Sequence, residues 1–143
     1  MFSGTRPAEV LIADDESIAR DIMHFYLENL GCRVHIARDG DEALTLCYEV
    51  AEWIGLVILD ACMPGPSPVD LYKSIREINP SVPVLFCSGV SADDPVIRAI
   101  NEHGFQLLPK PFNRSDLHQA ILAVTQELQT RDAVARYYRR VMG

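Results

Sequence analysis

The sequence predicts a doubly wound α/β fold, a parallel sheet with helices on both faces. Three observations point there. Short apolar runs alternate with amphipathic helical stretches five times along the chain, and βα repetition at this spacing demands parallel strands joined by right-handed crossovers. The run Gly55-Leu56-Val57-Ile58-Leu59-Asp60 has no polar alternation before its final carboxylate, which suits a central strand buried on both faces. The 143 residues suffice for one domain with a real core and not for two comfortable ones.

Each element has its own signal. Val10-Leu11-Ile12-Ala13 reads as a buried strand delivering Asp14, Asp15 and Glu16 to its carboxyl end. Ser17 opens a helix whose Ile18, Ile22, Phe25, Tyr26 and Leu30 fall at helical spacing, predicting that this stripe faces the core. Gly31 is the expected stop. Val34 to Ala37 alternates like a strand near a sheet edge. Asp39 and Glu42 form a capping box opening a helix to about Glu52, with Leu44, Cys47, Tyr48 and Ala51 expected inward. After the Asp60 strand, Pro64-Gly65-Pro66 turns the chain into a helix over Val69 to Ile78. Val82 to Cys87 is the fourth strand and delivers Ser88-Gly89. Pro95 suits the first turn of the next helix. Phe105 to Leu108 is a short fifth strand delivering Pro109-Lys110-Pro111, and Asn113 with Asp116 marks the start of the last helix.

Composition narrows the function. The chain is 48% hydrophobic and 23% charged, ordinary for a globular domain, and its net charge of −7 argues against general binding to nucleic acid or a membrane surface. Basic residues gather late, with Arg131, Arg136, Arg139 and Arg140 against Asp132 alone. Cys32, Cys47, Cys62 and Cys87 show no zinc-site spacing and are expected to be reduced thiols. No apolar run approaches the roughly 18–20 residues that span a bilayer, and Met1 to Glu9 lacks the apolar stretch of a signal peptide. A cytoplasmic protein is expected.

The polar residues at the strand ends form a constellation. Strands one, three, four and five deliver Asp14 and Asp15, Asp60, Ser88 and Lys110 to one rim of the sheet, where ligands bind in open parallel sheets. Carboxylates gathered without a cation repel one another and raise each other's pKa. Carboxylate oxygens without Cys or His describe a hard-cation site, Mg²⁺ (or Mn²⁺) rather than Zn²⁺. Lys110 adds a fixed positive charge, and the Ser88 hydroxyl completes a pocket suited to a phosphoryl group.

Four motifs now stand in order: Asp14-Asp15, Asp60-Ala61-Cys62-Met63-Pro64, Ser88-Gly89 and Lys110-Pro111-Phe112. Together they resemble the receiver domain of two-component response regulators, over about residues 8 to 128. The resemblance implies a flavodoxin-like (βα)5 three-layer sandwich with strand order 2-1-3-4-5. It implies that Asp60 accepts a phosphoryl group from a kinase phosphohistidine. Asp15, Asp60 and the Cys62 backbone carbonyl would ligate Mg²⁺, with Asp14 reaching it partly through water. Lys110 would pair with Asp60 and then with a phosphoryl oxygen, Ser88 would swing inward, and the Ala61 and Gly89 backbone would help bind the phosphoryl group. It further implies a cis Lys110-Pro111 bond. The implied partners are a sensor histidine kinase or a phosphotransfer protein, with no direct nucleic-acid or membrane contact. The protein is then a signalling phosphoacceptor rather than an enzyme acting on an external substrate.

Three departures mark this chain. Leu107 occupies the strand-five position where the family often carries an aromatic, predicting a switch other than the usual hydroxyl–aromatic coupling. Gly65-Pro66-Ser67-Pro68 is proline-rich where a glycine is usual further on, and Ser88 replaces the commoner threonine. Two other readings compete. A dehalogenase-like phosphatase also uses an Asp nucleophile after a parallel strand, but it needs a second Asp where Cys62 stands. A degenerate receiver acting by protein contact alone is the alternative that Leu107 keeps open. Glu16 reads simply as a helix-start acid favoured by the dipole. The expected organisation is a flexible tail over residues 1–8, the domain over 9–128, and a helical extension over 129–143. That extension serves as a dimerisation helix or as a link to an output domain.

Overall fold

The computed structural model describes residues 8–125. The expected tail apart from Ala8, and the extension over 129–143, lie outside the described residues. The elements are β1 (Glu9–Ala13), α1 (Ser17–Asn29), β2 (Arg33–Ala37), α2 (Gly40–Glu49), β3 (Ile54–Asp60), α3 (Pro68–Ile78), β4 (Val84–Ser88), α4 (Pro95–Glu102) and β5 (Gln106–Pro109). A last helix, α5, runs from 114 to 125, the end of the described residues. The strands pair in parallel in the order β2-β1-β3-β4-β5. This is the flavodoxin-like three-layer sandwich expected from the sequence.

The apolar runs are explained by two cores, one on each sheet face. Val10 and Ile12 of β1, Leu56 and Ile58 of β3, and Leu85 and Cys87 of β4 pack with Met23 and Leu27 of α1 and with Leu117, Ile121 and Val124 of α5. The intervening Leu11, Val57, Leu59, Val84 and Phe86 pack with Ala43, Cys47, Leu71, Ile75, Ile97 and Ile100 of α2, α3 and α4. Successive strand residues point to opposite faces, so a strand covered on both sides must be apolar throughout. β2, one of the two edge strands, is only partly buried.

The helix ends follow local chemistry. Asp39, Ser67 and Asp94 cap α2, α3 and α4, accepting from the backbone N–H groups of Glu42, Asp70 and Val96. Asn113 and Asp116 exchange bonds reciprocally, 2.8 and 3.1 Å, before α5. Gly31 and Gly104 follow α1 and α4 at φ +84° and +72°, the left-handed region that glycine enters without strain. The proline-rich loop is seated on α2: a Cβ added at Gly40 would stand 3.1 Å from Pro66 Cδ.

Several expectations need correction. The core face of α1 is not the Ile18–Ile22–Phe25 stripe; these residues are 73%, 44% and 63% exposed, while Met23 and Leu27 are buried. Apolar residues cover more than one stripe of this helix, and only the stripe over β1 and β2 can touch the sheet. Tyr48, expected inward, is exposed on α2, whose Ala43 and Cys47 are buried with Leu44 half-buried against the same core, as expected for Leu44 and Cys47. β4 starts after Pro83, because proline has no N–H for a ladder bond, and continues to Ser88. The second helix ends at Glu49 rather than near Glu52. Cys32 is buried just before β2.

Phe105 lies just before β5 with its ring 4.1 Å, centroid to centroid, from Tyr72 of α3 and 5.7 Å from Phe86 of β4. Such stacking ties α3, β4 and β5 together. Phe86 is fully buried at the centre of that face. Phe86→Ala is expected to lower unfolding free energy by about 3–5 kcal/mol, measured by urea titration of the far-UV circular dichroism. A loss under 1 kcal/mol would contradict this packing.

Candidate functional site

The sheet continues its hydrogen bonding past its strand ends, and this positions the rim. The Asp14 N–H donates to the Ala37 carbonyl (3.2 Å), the Ala61 N–H to the Cys87 carbonyl (2.8 Å) and the Lys110 N–H to the Ser88 carbonyl (2.7 Å). Each rim residue is thereby tied to the neighbouring strand before its side chain makes any contact. The Lys110-Pro111 peptide is cis, as the resemblance implies.

Asp14 is fully buried. Its Oδ1 accepts the Glu16 N–H at 2.9 Å and its Oδ2 accepts the Lys110 ammonium at 2.8 Å. Its carbonyl accepts an Arg20 guanidinium N–H at 2.7 Å. Asp60, also buried, accepts the Cys62 N–H at 3.2 Å on Oδ1. Lys110 Nζ stands 3.7 Å from Asp60 Oδ2. Lys110 was expected to pair first with Asp60; here its closer partner is Asp14. The Ser88 hydroxyl is buried and accepts the Val90 N–H at 3.1 Å. The Ala61 N–H is engaged by Cys87, so the backbone donor meeting the Asp60 carboxylate is that of Cys62. Gly89 lies against the Lys110 stem, where an added Cβ would stand 3.9 Å from Lys110 Cβ.

One oxygen each from Asp14, Asp15, Glu16 and Asp60 falls within 4.8 Å of the others. The donor set is all carboxylate, which matches a hard divalent cation and not a thiophilic metal. Three of these acids are named by the sequence argument. Glu16 is read there only as a helix-start acid, and Arg20 is given no role. The acid at the end of a strand looks the same whether it serves a helix dipole or a cluster, and Arg20 reaches the loop from one turn into α1.

The electrostatics follow from burial. Asp60 has its pKa pushed up from 3.8 to about 6, first by desolvation and then by the Asp14 charge, with the Cys62 N–H and Lys110 pulling the other way. For Lys110, burial acts to lower the pKa, but the Asp14 hydrogen bond and the charges of Asp60, Asp14 and Glu16 prevail and the net shift is upward. The Cys62 thiol is also raised, by burial and then by the Asp60 and Asp94 charges. Cys47 and Cys87 are pushed by burial to about 11 and about 12. The cysteines are free thiols, as expected.

Comparison with known proteins agrees with this geometry. Residues 10–122 match the family described as the response regulator receiver domain. An uncharacterized transcriptional regulatory protein of Bacillus subtilis, YrkP, is 32% identical over 114 residues, covering 80% of this chain and 48% of that protein. The transcriptional regulator NtrC of Azospirillum brasilense is 32% identical, covering 77% of this chain and 22% of NtrC. The chain thus spans less than half the length of these curated relatives. Among solved structures, a response regulator receiver domain protein from Clostridium thermocellum superposes with a TM-score of 0.74 at 32% identity, covering 86% of this chain and 98% of that one. No helix among the described residues is long and apolar enough to cross a membrane.

The Asp60 shift has a sign that stability experiments can read. Between pH 3.8 and about 6 the folded state holds a proton that the unfolded state has released, so Asp60 makes stability fall as pH rises through that window. Asp60→Asn is expected to be more stable than wild type at pH 7 without divalent cation, by about 1–3 kcal/mol, and nearly equal below pH 4. Urea unfolding in EDTA at the two pH values measures the difference. A destabilised Asp60→Asn at pH 7 would contradict the strained-carboxylate account.

Proposed function

The chain belongs to the response regulator receiver domain family, a phosphoacceptor module of two-component signalling, and from that premise we propose that Asp60 is its phosphorylated residue. The observation that carries the reading is a buried carboxylate at the carboxyl end of β3, clustered with three other acids and 3.7 Å from an ammonium. Receiver domains interact with histidine kinases or phosphotransfer proteins and bind Mg²⁺ at an acidic pocket. For this chain Asp15, Asp60 and the Cys62 carbonyl would hold the ion, with Asp14 behind them. Bound there, the cation supplies neutralisation of charge on the phosphoryl oxygens.

An Asp60 carboxylate oxygen attacks the phosphorus of a donor phosphohistidine. The new O–P bond forms as the P–N bond breaks, and the leaving imidazole nitrogen keeps the bonding pair and takes up a proton. Asp14 holds Lys110 where its ammonium can pass from Asp60 to a phosphoryl oxygen. Ser88 supplies a hydroxyl at the end of β4, and the donor N–H of Cys62 faces Asp60. Charge neutralisation and positioning of this kind account for most of the catalysis of phosphoryl transfer. The Tyr72–Phe105–Phe86 stack supports a readout through α3 and β4 in place of an aromatic at Leu107.

The exposed apolar side of α1 supports a docking role for the donor. A groove of about 460 Å³ runs from Ile18 and Ile22 past Phe112 to Gly89 and Lys110. An apolar surface that ends at Lys110, whose ammonium neighbours Asp60, suits a helical, histidine-bearing protein donor.

Two experiments test this. Wild type with Mg²⁺ and acetyl phosphate is expected to gain one phosphoryl mass, and Asp60→Asn none; an equally labelled Asp60→Asn would overturn the assignment. Ile22→Asp with Phe25→Asp is expected to slow phosphotransfer from a cognate kinase at least tenfold while leaving acetyl phosphate labelling within twofold. Equal loss with both donors would remove the docking role.

A further inference from the structure

Glu16 has no part in the chemistry above, yet its placement is specific. It is the N-cap of α1, but its side chain makes no capping hydrogen bond. Its backbone is fixed on both sides: its N–H donates to Asp14 Oδ1 at 2.9 Å, and its carbonyl accepts the Arg20 N–H at 3.1 Å. The side chain is thus left to lie over the rim, where its carboxylate joins Asp14, Asp15 and Asp60 within 4.8 Å. It also lines the groove that ends at Gly89 and Lys110.

These positions give Glu16 a job different from that of a dipole acid. Asp14 already has both oxygens engaged, by Glu16 N–H and by Lys110. Its charge is therefore partly answered before any cation arrives. Asp15 and Glu16 are exposed, so their charges are the ones left facing an ion from the solvent side. We propose that Glu16 is an affinity-determining residue of the cation site, adding a fourth carboxylate charge on its outer face and acting through the field or a bridging water. The inference rests on the reading of Asp60 and Asp15 as cation ligands.

A unit charge about 5 Å from a divalent ion near the surface, screened by salt, is worth about a three- to tenfold change in affinity. Removing the charge should therefore weaken binding without abolishing it. Removing a direct ligand such as Asp15 should weaken it far more.

The test is the dissociation constant of the full chain for Mn²⁺, read from the electron paramagnetic resonance signal of free aqueous Mn²⁺, with Mg²⁺ as competitor. Glu16→Gln is expected to bind about three- to tenfold more weakly. Glu16→Asp should stay within twofold of wild type. Asp21→Asn, which removes the same charge from an exposed site further along α1, should also stay within twofold. The Glu16→Gln effect should shrink in 0.5 M salt, to about half or less of its logarithm at low salt. Matched urea midpoints in EDTA would show that the fold is kept. A Glu16→Gln constant within twofold of wild type, or an equal loss in Asp21→Asn, overturns the proposal. Because this assay involves no phosphoryl transfer, its failure and that of the phosphoacceptor reading are separate. A wild type that binds Mn²⁺ through Glu16 but takes no label fails only the latter.

Discussion

The contact between Lys110 and Asp14, 2.8 Å long and almost wholly removed from water on the carboxylate side, is what allows the rest of the rim to exist. Parallel strands in the order β2-β1-β3-β4-β5 place β1 and β3 side by side, so Asp14 and Asp60 emerge as neighbours. Two buried carboxylates at that separation resist joint ionisation. Lys110 reaches back over β4 and β3 to stand between them. Losing one partner of a buried pair is typically worth 3–5 kcal/mol because the other is left uncompensated. The sheet prepares for this by tying the Lys110 backbone to Ser88 before the side chain extends.

That arrangement also explains why the site is stressed in its resting form. Lys110 is nearer Asp14 than Asp60, and burial first and the Asp14 charge second raise the Asp60 pKa despite it. A rim with more carboxylates than ammonium groups favours any ligand that brings positive charge. Stability is thus held below its maximum at the proposed phosphoacceptor.

Much of this was legible in the sequence, for physical reasons. Strands covered on both faces must be apolar throughout, which made β1, β3 and β4 visible and placed Asp14, Asp60 and Ser88 at their ends. Capping residues marked α2 and α5, and Pro95 marked the start of α4. The face of α1 was not legible, because Ile18, Ile22 and Phe25 form as good a helical stripe as Met23 and Leu27; only the sheet decides between them. Tyr48 was misjudged for the same reason. Glu16 and Arg20 were missed because their roles depend on where the loop after β1 folds back, which spacing does not encode. Leu107 led only to an expectation about the switch, and finding the Phe105 ring stacked on Tyr72 required knowing that α3 and the start of β5 meet.

The central claim is that the phosphoryl group forms an acyl phosphate on Asp60 and nowhere else. Borohydride reduction of the freshly phosphorylated protein converts an aspartyl phosphate to homoserine, and peptide mapping locates it. The account predicts homoserine at position 60 alone. Homoserine at position 14 or 15, or none in a protein that carries phosphate, would contradict it.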